Sequence, residues 1–456
     1  MLEALGLTDD EAELYVALVR SGPSPTDEFD PLPGLPDLPG AVVSGALEGL
    51  VAKGLLTRTA GEPAQLIASP PDIAGEVLLL RRMQELHLAR VAKLWYDGRA
   101  KVALDTSVPQ IGAPEAWAKG YDGKGAKVAV LDTGIDLTNA DVKDNIAVTK
   151  GFEPGLTASD GQGHGTHVAS TIVGSGANSG GKYKGVAPGA DLLVGKVLDN
   201  AGSGQFSWIL EGMEWAATQG ADVVNMSLGG PAASPDDVMT EAVDRLSAST
   251  GTLFVVSAGN SGPGATTIGS PGTADSALTV GAVDKSDVLA GFSSRGPRIG
   301  DSAIKPEITA PGVGIVAARA AGTAMGTPVD AFYTSANGTS MAAPHVAGAA
   351  TILAQRHPDW SGQRIKAALT GHAKVIPGQT VYQQGNGRVD IPAALDPKLE
   401  TGGSADFGLI EWQESGYEKE TRKVTLSNTA DVATTVELST ETRRHPRGRL
   451  ARPAYR

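Results

Sequence analysis

Five short apolar runs constrain this chain more than anything else in it. They are KVAVLDTG at 127–134, DLLVGKVL at 191–198, DVVNMSLGG at 222–230, TLFVVSAGN at 252–260 and ALTVGAV at 277–283. None alternates apolar with polar residues in the manner of a strand with one wet face, and most end on Gly, Asp or Asn. A strand that is apolar on both faces has to be covered on both, which is the situation of a parallel sheet flanked by helices. Between the runs lie segments with helical patterning, and helices are expected over 164–173, 207–218, 235–249, 340–356 and 361–369. The expected class is therefore α/β, with a mainly parallel sheet between helices. Such sheets collect their chemistry at the carboxyl ends of the strands, and Asp132, Ser227 and Asn260 stand there.

The totals exclude several functions. With no cysteine, a thiol nucleophile, a disulfide framework and a cysteine metal site are all ruled out. A formal charge of −13 over 456 residues argues against nucleic acid as the main partner. The first twenty residues are acidic and amphipathic, without the basic and apolar regions of a secretory signal, so the chain as written reads as cytoplasmic. No stretch reaches the length of a membrane span. A monomeric state is expected.

The flanks differ from the centre. Residues 1–92 read as one block, with helices over 8–20, 41–53 and 71–94 and a strand pair around 55–67. AVVSGALEGLVAKGLLTRT followed by GEPAQLIASPP resembles the second half of a winged helix-turn-helix of bacterial transcription regulators. That resemblance implies DNA binding, and the composition opposes it. The break at 21–40 holds six prolines, and residues 1–100 carry 15 acidic against 8 basic side chains, net −7. The stretch 41–56 offers only Lys53 to phosphates. Beyond about 396, the polar alternation of TRKVTLSNTADVATTVELST reads as a truncated β-sandwich-like segment. The Arg-rich terminus after it is expected to be disordered.

Four local patterns carry candidate chemistry. Asn337-Gly338-Thr339-Ser340 precedes an alanine-rich helix, which lifts the Ser340 hydroxyl onto the first turn, where free N–H groups and the helix dipole favour negative charge. By itself this is an ordinary N-cap. Asp132 closes the first apolar run before a glycine turn, where it can orient an imidazole, and by itself is a turn residue. In Gly163-His164-Gly165-Thr166-His167, His164 sits at the junction of turn and helix, free to reach a neighbour, whereas His167 lies one turn in and reads as core. A zinc reading fails because two histidines at i and i+3 lack a third nearby ligand. Asn260, after another buried run, can donate its amide to an oxyanion with help from the Ser340 N–H, or simply make an Asx turn. GANSGGKY at 176–183 resembles a phosphate loop, but Tyr183 replaces the required Ser or Thr, and nucleotide binding is rejected.

Taken together, Asp132, His164 and Ser340 stand in the chain order Asp…His…Ser. Residues 105–395 resemble the subtilisin-like serine proteases at DTGID, GHGTHVAS, SAGNSG and GTSMAAPHVAG. The resemblance implies a three-layer α/β catalytic domain and a serine endopeptidase acting on protein or peptide partners. In it Ser340 is the nucleophile, His164 the general base then acid, Asp132 the orienting carboxylate and Asn260 the oxyanion donor. No cofactor is implied for the chemistry. It further implies two substrate edges, Gly202-Ser203-Gly204 and Ser227-Leu228-Gly229, and a roomy apolar specificity pocket floored by Gly269. Asp141 matches an aspartate that binds structural calcium in several members, and a simple cap is the alternative reading. Residues 93–104 resemble the end of a protease pro-region, or are a linker. Family members are usually secreted. The alternative for the whole chain is a regulator-like fusion whose N-terminal module binds DNA or protein beside an inert protease domain.

Overall fold

The computed structural model describes residues 7–21, 24–25, 40–59, 65–71, 74, 78, 104–155, 157–232, 234–401, 404–410 and 420–438. They fall into two compact units, Met1–Arg99 and Ala100–Arg456.

In the first unit, α1 (Asp9–Ser21) and α2 (Gly40–Ala52) pack with a small antiparallel sheet of order β1-β3-β2. Its strands are β1 (Ser24–Pro25), β2 (Leu56–Arg58) and β3 (Gln65–Ala68). A capping box starts α1: the Glu11 N–H donates to Thr8 Oγ1 at 3.2 Å, while Glu11 Oε2 accepts from the Thr8 N–H at 2.8 Å. Leu14 and Leu18, one turn apart, meet Leu50, Leu55 and Leu66 in a separate small core. The helices expected over 8–20 and 41–53 are thus present, each displaced by one residue. Most of the expected break at 21–40, most of the helix over 71–94, nearly all of 93–104 and the basic tail lie outside the described residues.

The second unit is built on seven strands: β4 (Lys127–Asp132), β5 (Ile146–Gly151), β6 (Asp191–Lys196), β7 (Val223–Met226), β8 (Leu253–Ser257), β9 (Leu278–Val283) and β10 (Ile308–Pro311). Their order is β10-β9-β8-β7-β4-β6-β5, and every pairing is parallel. The principal helices are α3 (His164–Val173), α4 (Phe206–Thr218), α5 (Val238–Thr250), α6 (Thr339–Arg356) and α7 (Gly362–Gly371). Alternation along the strands separates two cores. Val128 and Val130 face a cluster with residues of α3 and α6, whereas Ala129 and Leu131 face one with α4 and α5. Each buried valine or leucine contributes roughly 1.5–3 kcal/mol, so covering both faces accounts for the unbroken apolar runs. The three-layer α/β expectation is met.

Chain order reverses at β4, which has β6 on one side and β7 on the other. This is a switch point, and it opens a crevice at the carboxyl end of β4, where Asp132 stands.

Several expected boundaries move. α5 begins at Val238 rather than 235, because Asp237 accepts from the N–H groups of Met239 and Thr240 and so caps the helix. α6 begins at Thr339, which puts Ser340 one residue inside the helix and half-buried. Strands β5 and β10 were not expected, nor was the antiparallel sheet of β11 (Ile315–Ala318), β12 (Thr327–Pro328) and β13 (Tyr333–Ala336). In the segment read as a truncated sandwich, the described strands are β14 (Leu399–Thr401) and β15 (Leu426–Asn428), paired antiparallel.

Candidate active site

Asp132 is the last residue of β4 and is fully buried. Its Oδ1 accepts from the Thr133 N–H at 2.7 Å and contacts His164 Nδ1 at 2.8 Å. A carboxylate can only accept, so Nδ1 carries the proton and Nε2 is left bare as a base. The contact depends on local backbone. Gly163 precedes α3 at φ 103°, in the left-handed region that favours glycine. A Cβ on Gly165 would stand 2.2 Å from the Gly134 carbonyl, so only glycine lets the start of α3 press against the turn after Asp132.

Burial works against a charge on His164. The adjoining Asp132 carboxylate, and more distantly Asp160, outweigh it and hold the imidazole pKa above its ordinary value. His167 behaves oppositely. It is fully buried, hydrogen-bonds the Ile315 carbonyl through Nε2 at 3.0 Å, and is pushed down to about 3 by desolvation. His345, buried between the Met341 carbonyl and Ser107 Oγ, is likewise pushed down to about 4. Both stay neutral at ordinary pH and serve packing.

Ser340 is placed by α6 and by a reciprocal clasp with Ser227. Pro344 lies four residues beyond Ser340 and has no N–H, so the usual intrahelical donor to the Ser340 carbonyl is missing. Ser227 Oγ donates to that carbonyl at 2.8 Å, and Ser340 Oγ donates to the Ser227 carbonyl at 3.1 Å. Among the described residues, no hydrogen bond joins Ser340 to His164. The Asp132–His164 limb is therefore closed, while the hydroxyl is turned aside.

Asn260 follows β8. Its Oδ1 accepts from the Thr339 N–H at 2.9 Å and from Thr339 Oγ1 at 3.0 Å, which orients Nδ2 as the outward donor. A Cβ on Gly338 would lie 3.6 Å from both Asn260 Nδ2 and the Ser340 nitrogen, so the two donors border one small space.

Two cavities meet here. One, of about 480 Å³, is lined by His164, by Gly202, Ser203 and Gly204, and by Ser227, Leu228 and Gly229. The other, of about 260 Å³, shares that last edge and adds Ser340, Asn260 and Gly269. A Cβ on Gly269 would come within 2.6 Å of the Gly230 carbonyl, so the wall there stays bare.

Asp141, the expected calcium ligand, is buried and hydrogen-bonded within the protein. Its Oδ1 receives the Tyr333 hydroxyl at 3.0 Å and the Asn178 N–H at 3.4 Å, and the buried Oδ2 has no hydrogen-bond partner. Burial pushes its carboxyl up, against those donors. Among the described residues, no three His, Asp or Glu side chains cluster to hold a metal.

Sequence reasoning missed Asp160. It is buried and accepts five hydrogen bonds around the start of α3. The available signal was an acid four residues ahead of His164, in a glycine turn leading into a helix.

Residues 123–388 match the subtilase family, Peptidase_S8, and residues 2–72 match the sugar-specific transcriptional regulator TrmB. Subtilisin E of Bacillus subtilis (strain 168) is 40% identical over 291 residues, covering 63% of this chain and 70% of that protein. Subtilisin of Bacillus pumilus is 39% identical over 291 residues, 63% of this chain and 97% of its own length. Subtilisin Savinase of Lederbergia lenta is 41% identical over 288 residues, again 63% of this chain and 97% of its own. With more than half of its 456 residues matched, the chain belongs to the subtilase family of serine peptidases.

Proposed function

We propose that this serine-type endopeptidase hydrolyses peptide bonds through Ser340, His164 and Asp132, with Asn260 steadying the oxyanion. The observation that carries the reading is the 2.8 Å contact between buried Asp132 and His164, on the rim of a cleft into which Ser340 also opens. A substrate carbonyl entering between Asn260 Nδ2 and the Ser340 N–H meets Ser340 Oγ. The hydroxyl swings from the Ser227 carbonyl to His164 Nε2, gives up its proton there and attacks the carbonyl carbon. His164 returns that proton to the leaving amine, and the C–N bond breaks. Water then repeats the sequence on the acyl-enzyme and restores Ser340.

In the test, wild-type chain becomes labelled by a fluorophosphonate and digests casein, while Ser340→Ala does neither. A labelled Ser340→Ala chain would place the nucleophile elsewhere. Removing the corresponding asparagine from a subtilisin lowers kcat about 10²- to 10³-fold, and a fall of that size is carried over to Asn260→Ala.

Substrate is held as an extended strand between the edges at 202–204 and 227–229. The open wall at Gly269 favours a large apolar or aromatic residue before the scissile bond. Equal cleavage after Lys or Asp in a peptide library would refute that preference.

The N-terminal unit resembles a transcription regulator, which favours a binding role for it. In this structure Glu11 engages Lys53, the basic residue at the end of the stretch expected to read DNA, and the net charge of −7 over residues 1–100 opposes a polyanion. We take nucleic acid not to be its ligand and the chain to act as a monomer. A gel shift on random duplex DNA that proved strong and salt-sensitive would reverse the first point.

A further inference from the structure

We infer that Asp160 is a positioning residue for the reaction: one buried carboxylate that locks the start of the His164 helix to the turn that follows Asp132. The inference rests on the reading of His164 as the base and adds a residue to it.

Asp160 is 6% exposed, and both its oxygens are engaged. Oδ1 accepts from Thr133 Oγ1 at 2.9 Å, from the Gly163 N–H at 2.7 Å and from the Gln162 N–H at 3.1 Å. Oδ2 accepts from the Thr166 N–H at 2.9 Å and from Thr166 Oγ1 at 2.6 Å. Gly163 and Thr166 bracket His164, so three of these bonds fix the first turn of α3 on either side of the imidazole. Gly163 has no side chain with which to cap that helix, and Asp160 supplies the missing acceptor from three residues upstream.

Thr133 makes the other half of the link. Its hydroxyl donates to Asp160 and accepts from the Gly165 N–H at 2.9 Å, and its own N–H donates to Asp132 Oδ1 at 2.7 Å. The Thr133 carbonyl accepts from Lys196 Nζ, which also reaches Asn200 Oδ1 at 2.9 Å. Asp132 and His164 come from different elements, 32 residues apart in the chain. Asp160 and Thr133 tie those elements together through side chains beside the point of contact, in addition to the Asp136 N–H bond to Thr166 Oγ1 at 3.0 Å.

Charge adds a second handle. His164 faces Asp132 and Asp160 as anions, and His167, which is neutral at ordinary pH. Lys196 faces Asp160 and Asp132 from β6, with Glu153 and Asp199 beyond it. Removing the Asp160 anion withdraws support from the imidazolium, so His164 stays neutral to lower pH.

The experiment compares kcat, KM and the pH profile of kcat/KM for wild type, Asp160→Asn, Thr133→Val and the double variant on one peptide substrate. Asp160→Asn is expected to lower kcat about ten- to hundredfold with KM nearly unchanged, the scale of a misplaced catalytic group, and to move the acidic limb to lower pH. Thr133→Val keeps the anion, so it lowers kcat without moving the limb. The double variant loses less than the product of the two single losses, because both act on one link. Wild-type kcat and an unmoved limb in Asp160→Asn would overturn the inference. If that variant does not fold, wild-type kcat in Thr133→Val overturns it instead. Ser340→Ala separates the two levels. Should that chain still label, the nucleophile assignment fails; should labelling vanish while Asp160→Asn and Thr133→Val stay at wild-type rates, only the Asp160 link fails.

Discussion

His164 has to be neutral to act as a base, yet its surroundings favour the charged form. Burial disfavours the imidazolium, and the adjacent Asp132 carboxylate more than offsets it, so the pKa is raised. Activity should therefore fall with decreasing pH through a midpoint above the ordinary histidine value of about 6.5. A kcat/KM profile still flat at about pH 4 would contradict the assignment. Stability runs the other way. A histidine whose pKa rises on folding contributes stability below its unfolded pKa and loses it as pH rises through the folded value. In a Ser340→Ala background, which prevents self-digestion, the loss in urea midpoint on His164→Gln should be larger at acid pH and shrink toward alkaline pH. Asp141 offers a separate check. Tyr333→Phe removes a donor from a buried carboxyl oxygen and should destabilise the chain by about 1–3 kcal/mol, equally in calcium and in chelator. A stabilisation by calcium that depends on Asp141 would show that the donor set around it rearranges to admit the ion.

At the scale of elements, α6 sets the depth of the nucleophile, and its alanine-rich sequence follows from where it lies. Residues from Met341 to Ala354 are buried, and a Cβ on Gly348 would stand 2.6 Å from Val186 Cβ. Gly→Ala inside a helix ordinarily gains about 1 kcal/mol, whereas overpacking a core costs about 1–3 kcal/mol. The steric loss should win, and Gly348→Ala should lower the urea midpoint; a rise would mean that the helix shifts freely. Ser227→Ala leaves the Ser340 carbonyl without its donor and should cost about 1–3 kcal/mol, together with a fall in kcat. These elements also mark what the sequence discloses. The strands ending at Asp132 and shortly before Ser227 and Asn260 were legible because both faces are buried, which forces unbroken apolar runs. β5 was not, since it is a sheet edge whose central side chains are exposed and mix apolar with polar, and β10 is four residues ending on a proline. The four motifs were legible because each is a local glycine turn around a reactive group. Asp160 was not, because the bond that gives it its role, from Thr133 Oγ1 27 residues upstream, joins two segments that only the fold brings together.

The whole molecule consists of two units with separate cores. Among the described residues, the smaller is held by Leu14, Leu18, Leu50, Leu55 and Leu66 from α1, α2 and the β1–β3 sheet region, and the larger by the two faces of a seven-stranded sheet. Buried fraction rises with chain length, so a unit of this smaller size has the slimmer margin. Units with separate cores unfold separately unless a large interface couples them, and a single stability then ceases to describe the chain. Calorimetry of the Ser340→Ala chain should therefore resolve two transitions, the smaller unit melting first with the smaller enthalpy. A chain limited to 100–456 should keep the upper transition at its original temperature and, with Ser340 restored, should still take the fluorophosphonate label. One merged transition, or an upper transition that falls when the first 99 residues are removed, would mean that the regulator-like unit is part of the peptidase's own stability rather than a module beside it.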